Sequence, residues 1–318
     1  MLKVEMNNEV LFIGITMVFL GGVILYEFGS PRPTYPRVEI TPNTLTIGKN
    51  NPTLWLFYNT SDVNSRHWLD FGARSSYAIN IPLLNILYNR IVSMNGQTYT
   101  VRVLTGTASV AEALGGWEHL PKRLQREKAR VYVAEEDWIR TAILAKFGGL
   151  WLSPYMVALR PFGPLPKQSV VAFGQDADSG FSCIWVPTPG NPIFIEWEKR
   201  IRRRLEEQTG GFQIRGDSAS DWKELVEDYG AGQTIEVRPI DELARNRRTN
   251  KKLELEDIFA SGTEGRLPFE INSEAKYLAI PYDDLLQRSA WGWVLRMSEK
   301  QILSSDLALS HILSRGVR

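Results

Sequence analysis

Two adjacent glycines, Gly148 and Gly149, stand between a helical pattern and a wholly apolar run, and this junction constrains the fold more than any other stretch. Upstream, Glu135-Glu-Asp-Trp-Ile-Arg-Thr-Ala-Ile-Leu-Ala-Lys146 has helix spacing, with acids in its first turn and Lys146 in its last, where each sign complements the helix dipole. Glycine just past the end is the usual helix stop. Downstream, Leu150-Trp-Leu152 and Met156-Val-Ala-Leu159 are strand pieces interrupted at Pro154. A helix therefore feeds directly into a buried strand, which is a unit of α/β architecture.

The same logic extends in both directions. Thr53-Leu-Trp-Leu-Phe-Tyr58 reads as a buried strand ending in the polar Asn59-Thr-Ser-Asp62, Ile79 to Val92 carries an apolar helical pattern, and Thr98 to Leu104 alternates as a strand before Gly106. Strand, helix, strand in this order predicts a parallel sheet. Val131-Tyr-Val133 is a short strand at most. Val170 to Phe173 and Ser182 to Val186 read as strands flanking a loop, with a helix from about Ile193 to Gln208 and a last helix opened by Ser298-x-x-Gln301 in capping-box form. With 318 residues, 43% of them hydrophobic, there is material for one large α/β domain or two small ones.

Before the domain lies Val10 to Tyr26, an uncharged run that would reach roughly 26 Å as a helix, enough for a thin bilayer. It is long for a signal-peptide core and no small-residue cleavage site follows, so a retained anchor over residues 1–28 is expected. Ser30-Pro-Arg-Pro-Thr-Tyr-Pro36 belongs to a proline-rich linker over residues 29–50, and residues 51–318 form the folded domain. Flanking charges fix the orientation poorly, since Lys3 is offset by Glu5 and Glu9 while Arg32 and Arg37 follow the run.

Lys plus Arg number 37 against 36 Asp plus Glu, so no global field favours nucleic acid. The basic cluster Lys199 to Arg204 is interleaved with Glu196, Glu198, Glu206 and Glu207 at helical spacing, which predicts pairing on a solvated helix. Arg245 to Asp257, basic then acidic, reads as a solvated helix or a mobile insertion. Cys183 is the only cysteine, and His67, His119 and His311 are scattered, so zinc chemistry of the paired-cysteine kind is excluded and any metal would need carboxylates.

Asp137 and Arg140 are three apart and share one helix face, where they form either a surface pair or a cleft-facing one. Taken with Leu144, Gly148-Gly149-Leu-Trp-Leu152 and Arg160-Pro161, the segment resembles the glycosyltransferases that carry an Asp-x-Asp motif, the group of capsular-polysaccharide, sugar-binding and clostridial-toxin-like enzymes. The resemblance implies a Rossmann-like mixed sheet flanked by helices, of the glycosyltransferase A type. It implies a nucleotide diphosphate-sugar donor, a glycan or other acceptor, and transfer with retention of configuration. By the same resemblance Asp137 and Arg140 bind donor-sugar hydroxyls and Tyr58 ends the strand near the base. For a eukaryotic chain the resemblance implies a single-pass membrane protein with a lumenal domain of the Golgi or ER type, as eukaryotic relatives often have. A glycan on the sequon Asn59-Thr-Ser61, at the end of the first strand, would obstruct that site, so either the domain is not lumenal or the sequon is unused.

One departure bears on mechanism. The two acids that would hold Mn2+ or Mg2+ fall on Ser153 and Tyr155, and hydroxyls are weak neutral ligands for such ions. Three explanations stand: Asp176-Ala-Asp178 supplies a displaced metal pair, a cation such as Arg160 or Arg74 replaces the metal, or catalysis is lost and an anchored binding or scaffold module remains. Ser289-Ala-Trp291 matches the Ser-x-Trp that closes over the diphosphate in the toxin-like branch, with Leu286 where an acid precedes it and Asp283 and Asp284 nearby.

Overall fold

Six consecutive residues with little affinity for water, Thr53–Tyr58, make β1, the strand on which the rest is assembled. The computed structural model describes residues 51–59, 81–126, 131–173, 183–207, 218–229, 234–238, 243–262 and 267–315, all within the unit Glu39–Arg318. The anchor and linker expected before Asn51 lie outside them, as do His67, Arg74, Asp176 and Asp178. No helix among the described residues is long and apolar enough to cross a membrane.

From β1 the chain passes through α1 (Pro82–Asn95) to β2 (Thr100–Thr105), which pairs parallel with β1, and then into α2 (Gly106–Leu114). The helix α3 (Val133–Phe147) leads into β3 (Gly149–Leu152), which lies parallel on the other side of β1. After β4 (Met156–Ala158), strands β5 (Ser169–Phe173) and β6 (Cys183–Val186) pair antiparallel, and β6 also runs antiparallel to β3. Helices α4 (Pro192–Glu207) and α5 (Ser218–Tyr229) precede β7 (Thr234–Arg238), which is parallel to β5. The sheet order is β2-β1-β3-β6-β5-β7, a mixed sheet. The α/β expectation and its central parallel unit are thus present.

Alternation along the strands divides two layers. Trp55, Phe57, Leu104, Trp151, Ile184 and Val186 share one core with apolar residues of α2, α3, α4 and α5. Their neighbours Leu54, Leu56, Leu150, Leu152 and Phe173 are buried as well and face the opposite way. Phe162 packs edge-on to Phe173 at 5.5 Å on that second face. Strand β4 does not continue the main sheet: it pairs antiparallel with β8 (Tyr277–Ala279) in a separate ribbon packed against α1.

Two expectations are corrected. Val131-Tyr-Val133 is not a strand, because the Asn59 side chain takes the ladder's place: its Nδ2 donates to Val131 O at 2.9 Å and its Oδ1 accepts from Val131 N at 3.2 Å. Val133 is already the first residue of α3. Arg245 to Asp257 is neither a helix nor loose. Arg245 bridges Lys252 across a tight turn with Asn250 at φ 55°, Leu253 and Leu255 are buried, and only α6 (Leu255–Ile258) is helical.

The C-terminal elements are α7 (Tyr282–Gln287), α8 (Glu299–Ser304) and α9 (Ala308–Arg315). The capping box expected at α8 is formed: Ser298 N donates to Gln301 Oε1 at 2.8 Å, and Ser298 Oγ accepts from Gln301 N at 3.3 Å. Ser298→Ala should therefore cost about 1 kcal/mol, seen as a fall of roughly 2–4 °C in the calorimetric Tm. An unchanged Tm would mean that α8 is held by packing of Ile302 alone.

Candidate functional site

The chain leaves β1 for β2 on one side and returns as β3 on the other, which makes the carboxyl ends of β1 and β3 a topological switch point, the place where open α/β sheets take ligands. Tyr58 and Asn59 end β1, and Leu152 and Ser153 end β3, which places four residues at this edge. Tyr58 is buried, and the ring of Tyr155 meets it edge-on at 6.4 Å. On its other side Tyr155 stacks on Tyr282 with centroids 4.3 Å apart and planes within 5°. Ser153 Oγ accepts from Tyr155 N at 3.3 Å, and Tyr155 O accepts from Ile280 N at 2.9 Å.

The structure thus brings Tyr58, Ser153 and Tyr155 to one edge and adds Tyr282. Tyr282 was missed because its contact with Tyr155 joins segments far apart in the chain, and no local pattern carries that information. Neither Ser153 nor Tyr155 offers an anionic oxygen, and among the described residues no group of three or more His, Cys, Asp or Glu is placed to hold a metal ion. As a donor set, Ser153 and Tyr155 do not fit Mn2+ or Mg2+.

Helix α3 brings its N-terminus to the same edge through the Asn59 to Val131 clamp. Within it, Arg140 Nη2 donates to Asp137 Oδ1 at 2.6 Å, with the residues 4% and 8% exposed. The Arg140 guanidinium lies over the Trp197 ring at 5.7 Å, so the pair is seated against α4. This arrangement orders both side chains and desolvates them, which strengthens any charge-assisted contact they make.

One turn earlier Glu135 is 1% exposed, although a charged residue in a first turn normally faces water. Its Oε1 accepts from Arg123 Nε at 3.0 Å and Arg126 Nη2 at 2.8 Å, and its Oε2 from Tyr132 N at 2.9 Å. The sequence marked Glu135 only as a dipole-complementing acid. The spacing of Arg123 and Arg126, three apart ahead of the helix, was the one available signal.

The basic cluster on α4 is paired as its spacing required: Arg200 with Glu196, and Arg202 with Glu198 at 2.8 Å. Arg200 and Arg204 also reach Glu224 and Asp221 of α5. Ser289 is exposed, and Trp291 packs on Phe259 at 5.5 Å with its Nε1 buried and without a hydrogen-bond acceptor among the described residues. Arg288 pairs with Glu256, so this turn is pinned to α6. It is joined through α7 to Tyr282, and hence to the tyrosine stack.

No family model matches the chain, and no curated protein matches it. Among solved structures it is similar to the PaToxG glycosyltransferase, with a TM-score of 0.40 and 14% identity over 57% of this chain and 70% of that one. It is also similar to a glycosyltransferase involved in glycosylation of the major capsid of PBCV-1, with a TM-score of 0.30 and 11% identity over 60% of this chain and 84% of that one.

Proposed function

We propose that this chain is a glycosyltransferase that takes a nucleotide diphosphate-sugar at the carboxyl ends of β1 and β3 and passes the sugar, with retention, to a glycan or other acceptor. The observation that carries the proposal is the placement of the Asp137-x-x-Arg140 pattern on a helix whose N-terminus is clamped to the end of β1, beside the switch point where the sheet connections diverge. Such transfer relies on positioning the donor and on stabilising the departing diphosphate, and needs no strong base. Asp137 and Arg140 orient the donor sugar, Tyr58 stands near the base, and Ser289 with Trp291 lies on the segment that approaches the phosphates. Residues 10–26 hold the domain at a membrane as a single-pass anchor, and the domain faces the lumen where the host has one.

A second reading, an anchored module that binds the nucleotide-sugar without turning it over, is favoured by the Ser153 hydroxyl, bonded to Tyr155 N, and the tyrosine stack where metal-binding acids would stand. Titration calorimetry over a panel of uridine and guanosine diphosphate-sugars, with and without Mn2+, tests the common core of both. Binding of at least one donor is the expected result. Absence of binding to every donor in both conditions sinks both readings, and release or transfer of sugar from a bound donor selects the enzyme over the binding module.

A further inference from the structure

We propose that Arg126, seconded by Arg123, is the cationic contact for the anionic end of the ligand, a diphosphate, over the carboxyl ends of β1 and β2. The identity of the ligand rests on the nucleotide-sugar reading above; the charge of the site does not.

Glu135 is a single buried carboxylate, yet two guanidinium groups converge on it, so within this cluster of described residues one positive charge is left over. The side chains of Arg123 and Arg126 remain 23% and 41% exposed, and Glu135 beneath them is 1% exposed. A guanidinium has five N–H donors. Arg126 engages Glu135 through Nη2, which leaves its other donors without an acceptor among the described residues. The buried carboxylate therefore acts as an anchor that aims the arginine, while the outward edge is left for an incoming oxyanion.

Arg126 O accepts from Thr107 Oγ1 at 2.7 Å, which fixes the arginine backbone to the first turn of α2, immediately after β2. Its side chain is fixed to the first turn of α3, which the Asn59 clamp ties to β1. The guanidinium is thus held between two helix N-termini at the carboxyl edge of parallel strands, where their partial positive charges add to its own. Of the other described acids on the first turns of α3, Asp137 is closed on Arg140, and Glu136 projects about 100° around the helix from Glu135.

Ser153 and Tyr155 provide no carboxylate for a divalent ion, so among the described residues protein cations are the groups placed to meet charge developing on a departing diphosphate. Arg160 is exposed beyond β4 and has no comparable anchor among the described residues, whereas Arg126 is oriented in advance at both its backbone and its side chain.

Calorimetric titration of wild type, Arg126→Ala, Arg126→Gln, Arg126→Lys and Arg123→Ala with inorganic pyrophosphate, a nucleoside, its diphosphate and the diphosphate-sugar, at several NaCl concentrations, decides the matter. Arg126→Ala should weaken pyrophosphate and nucleoside diphosphate by about tenfold or more, leave the nucleoside within about twofold, and flatten the salt dependence. Arg126→Lys should restore most of the loss, and Arg123→Ala should show a smaller effect of the same kind. Melting curves accompany each protein, and if the alanine variant does not fold, Arg126→Gln against Arg126→Lys carries the same comparison. The proposal is overturned if these variants lose stability but bind diphosphate as wild type does, or if wild type binds neither pyrophosphate nor any diphosphate. Pyrophosphate binding that depends on Arg126, without binding of any nucleotide-sugar, would keep the anion site and remove the transferase reading. Binding of a nucleotide-sugar that ignores Arg126 would do the reverse.

Discussion

Gly149→Ala should abolish the folded state at physiological temperature. Gly149 sits at φ +103°, and an added Cβ would lie 2.5 Å from Thr53 O and 3.0 Å from Trp55 Nε1. The first of these is backbone of β1, whose neighbouring residues Leu54 to Leu56 are paired with β3, so it cannot retreat without opening the central ladder. Gly148 is constrained at the same place, since its carbonyl accepts from Trp55 Nε1 at 2.9 Å. Positive φ alone costs an alanine about 1–2 kcal/mol, and forced overlap in a close-packed core adds about 1–3 kcal/mol or more. Together these come to about 2–5 kcal/mol or more, enough to reach the lower end of a typical domain's stability of about 5–15 kcal/mol. Gly163→Ala is the control, because Gly163 also has positive φ, at +67°, but nothing lies within 4 Å of its added Cβ. The expected result is insoluble or unfolded Gly149→Ala beside folded Gly163→Ala with a Tm lower by a few degrees. Equal melting of the two variants would show that the strand junction yields, and that the glycine pair is not set by packing.

That junction was the most legible part of the sequence, because a helix stop and a buried strand are both local patterns. β1 was legible for the same reason: Leu54 to Tyr58 is apolar throughout and is buried on both faces of the sheet. The Ser298 box was legible because both partners lie within one turn. What was not legible is pairing between distant segments. Met156 to Ala158 looks like a continuation of β3 in sequence, but Pro154 ends the first strand and the second finds β8 instead. Val131 has strand composition, yet its backbone is satisfied by an asparagine side chain rather than by a neighbouring strand. At the site, Asp137 and Arg140 were visible as a pair three residues apart. The tyrosine stack and the Glu135 hub were not, since Tyr282, Arg123 and Arg126 arrive from other parts of the chain. Charge pattern also misleads along α3, where Glu135, Asp137 and Arg140 are all buried because each finds a countercharge.

Removing one member of the Asp137 and Arg140 pair should be as damaging as the glycine substitution, and the way the loss is repaired separates structure from recognition. Arg140→Ala leaves the Asp137 carboxylate in a site that is nearly closed to water, and breaking a buried pair in this manner costs about 3–5 kcal/mol. Replacing both members, as in Asp137→Leu with Arg140→Met, removes the charges together and keeps an apolar side chain against Trp197. Such exchanges are often neutral or stabilising by about 1–4 kcal/mol, so the double variant should melt near wild type while Arg140→Ala melts far below it. If the pair serves only packing, the double variant also keeps wild-type affinity for every ligand. If it orients the donor sugar, the double variant binds the nucleoside diphosphate normally and loses the added affinity for the diphosphate-sugar, about tenfold or more for a charge-assisted contact. The second pattern is the expected one, because the pair's helix is the element that the Asn59 clamp carries to the switch point. A double variant that is stable and binds the donor as wild type does would assign Asp137 and Arg140 to the α3 and α4 interface alone.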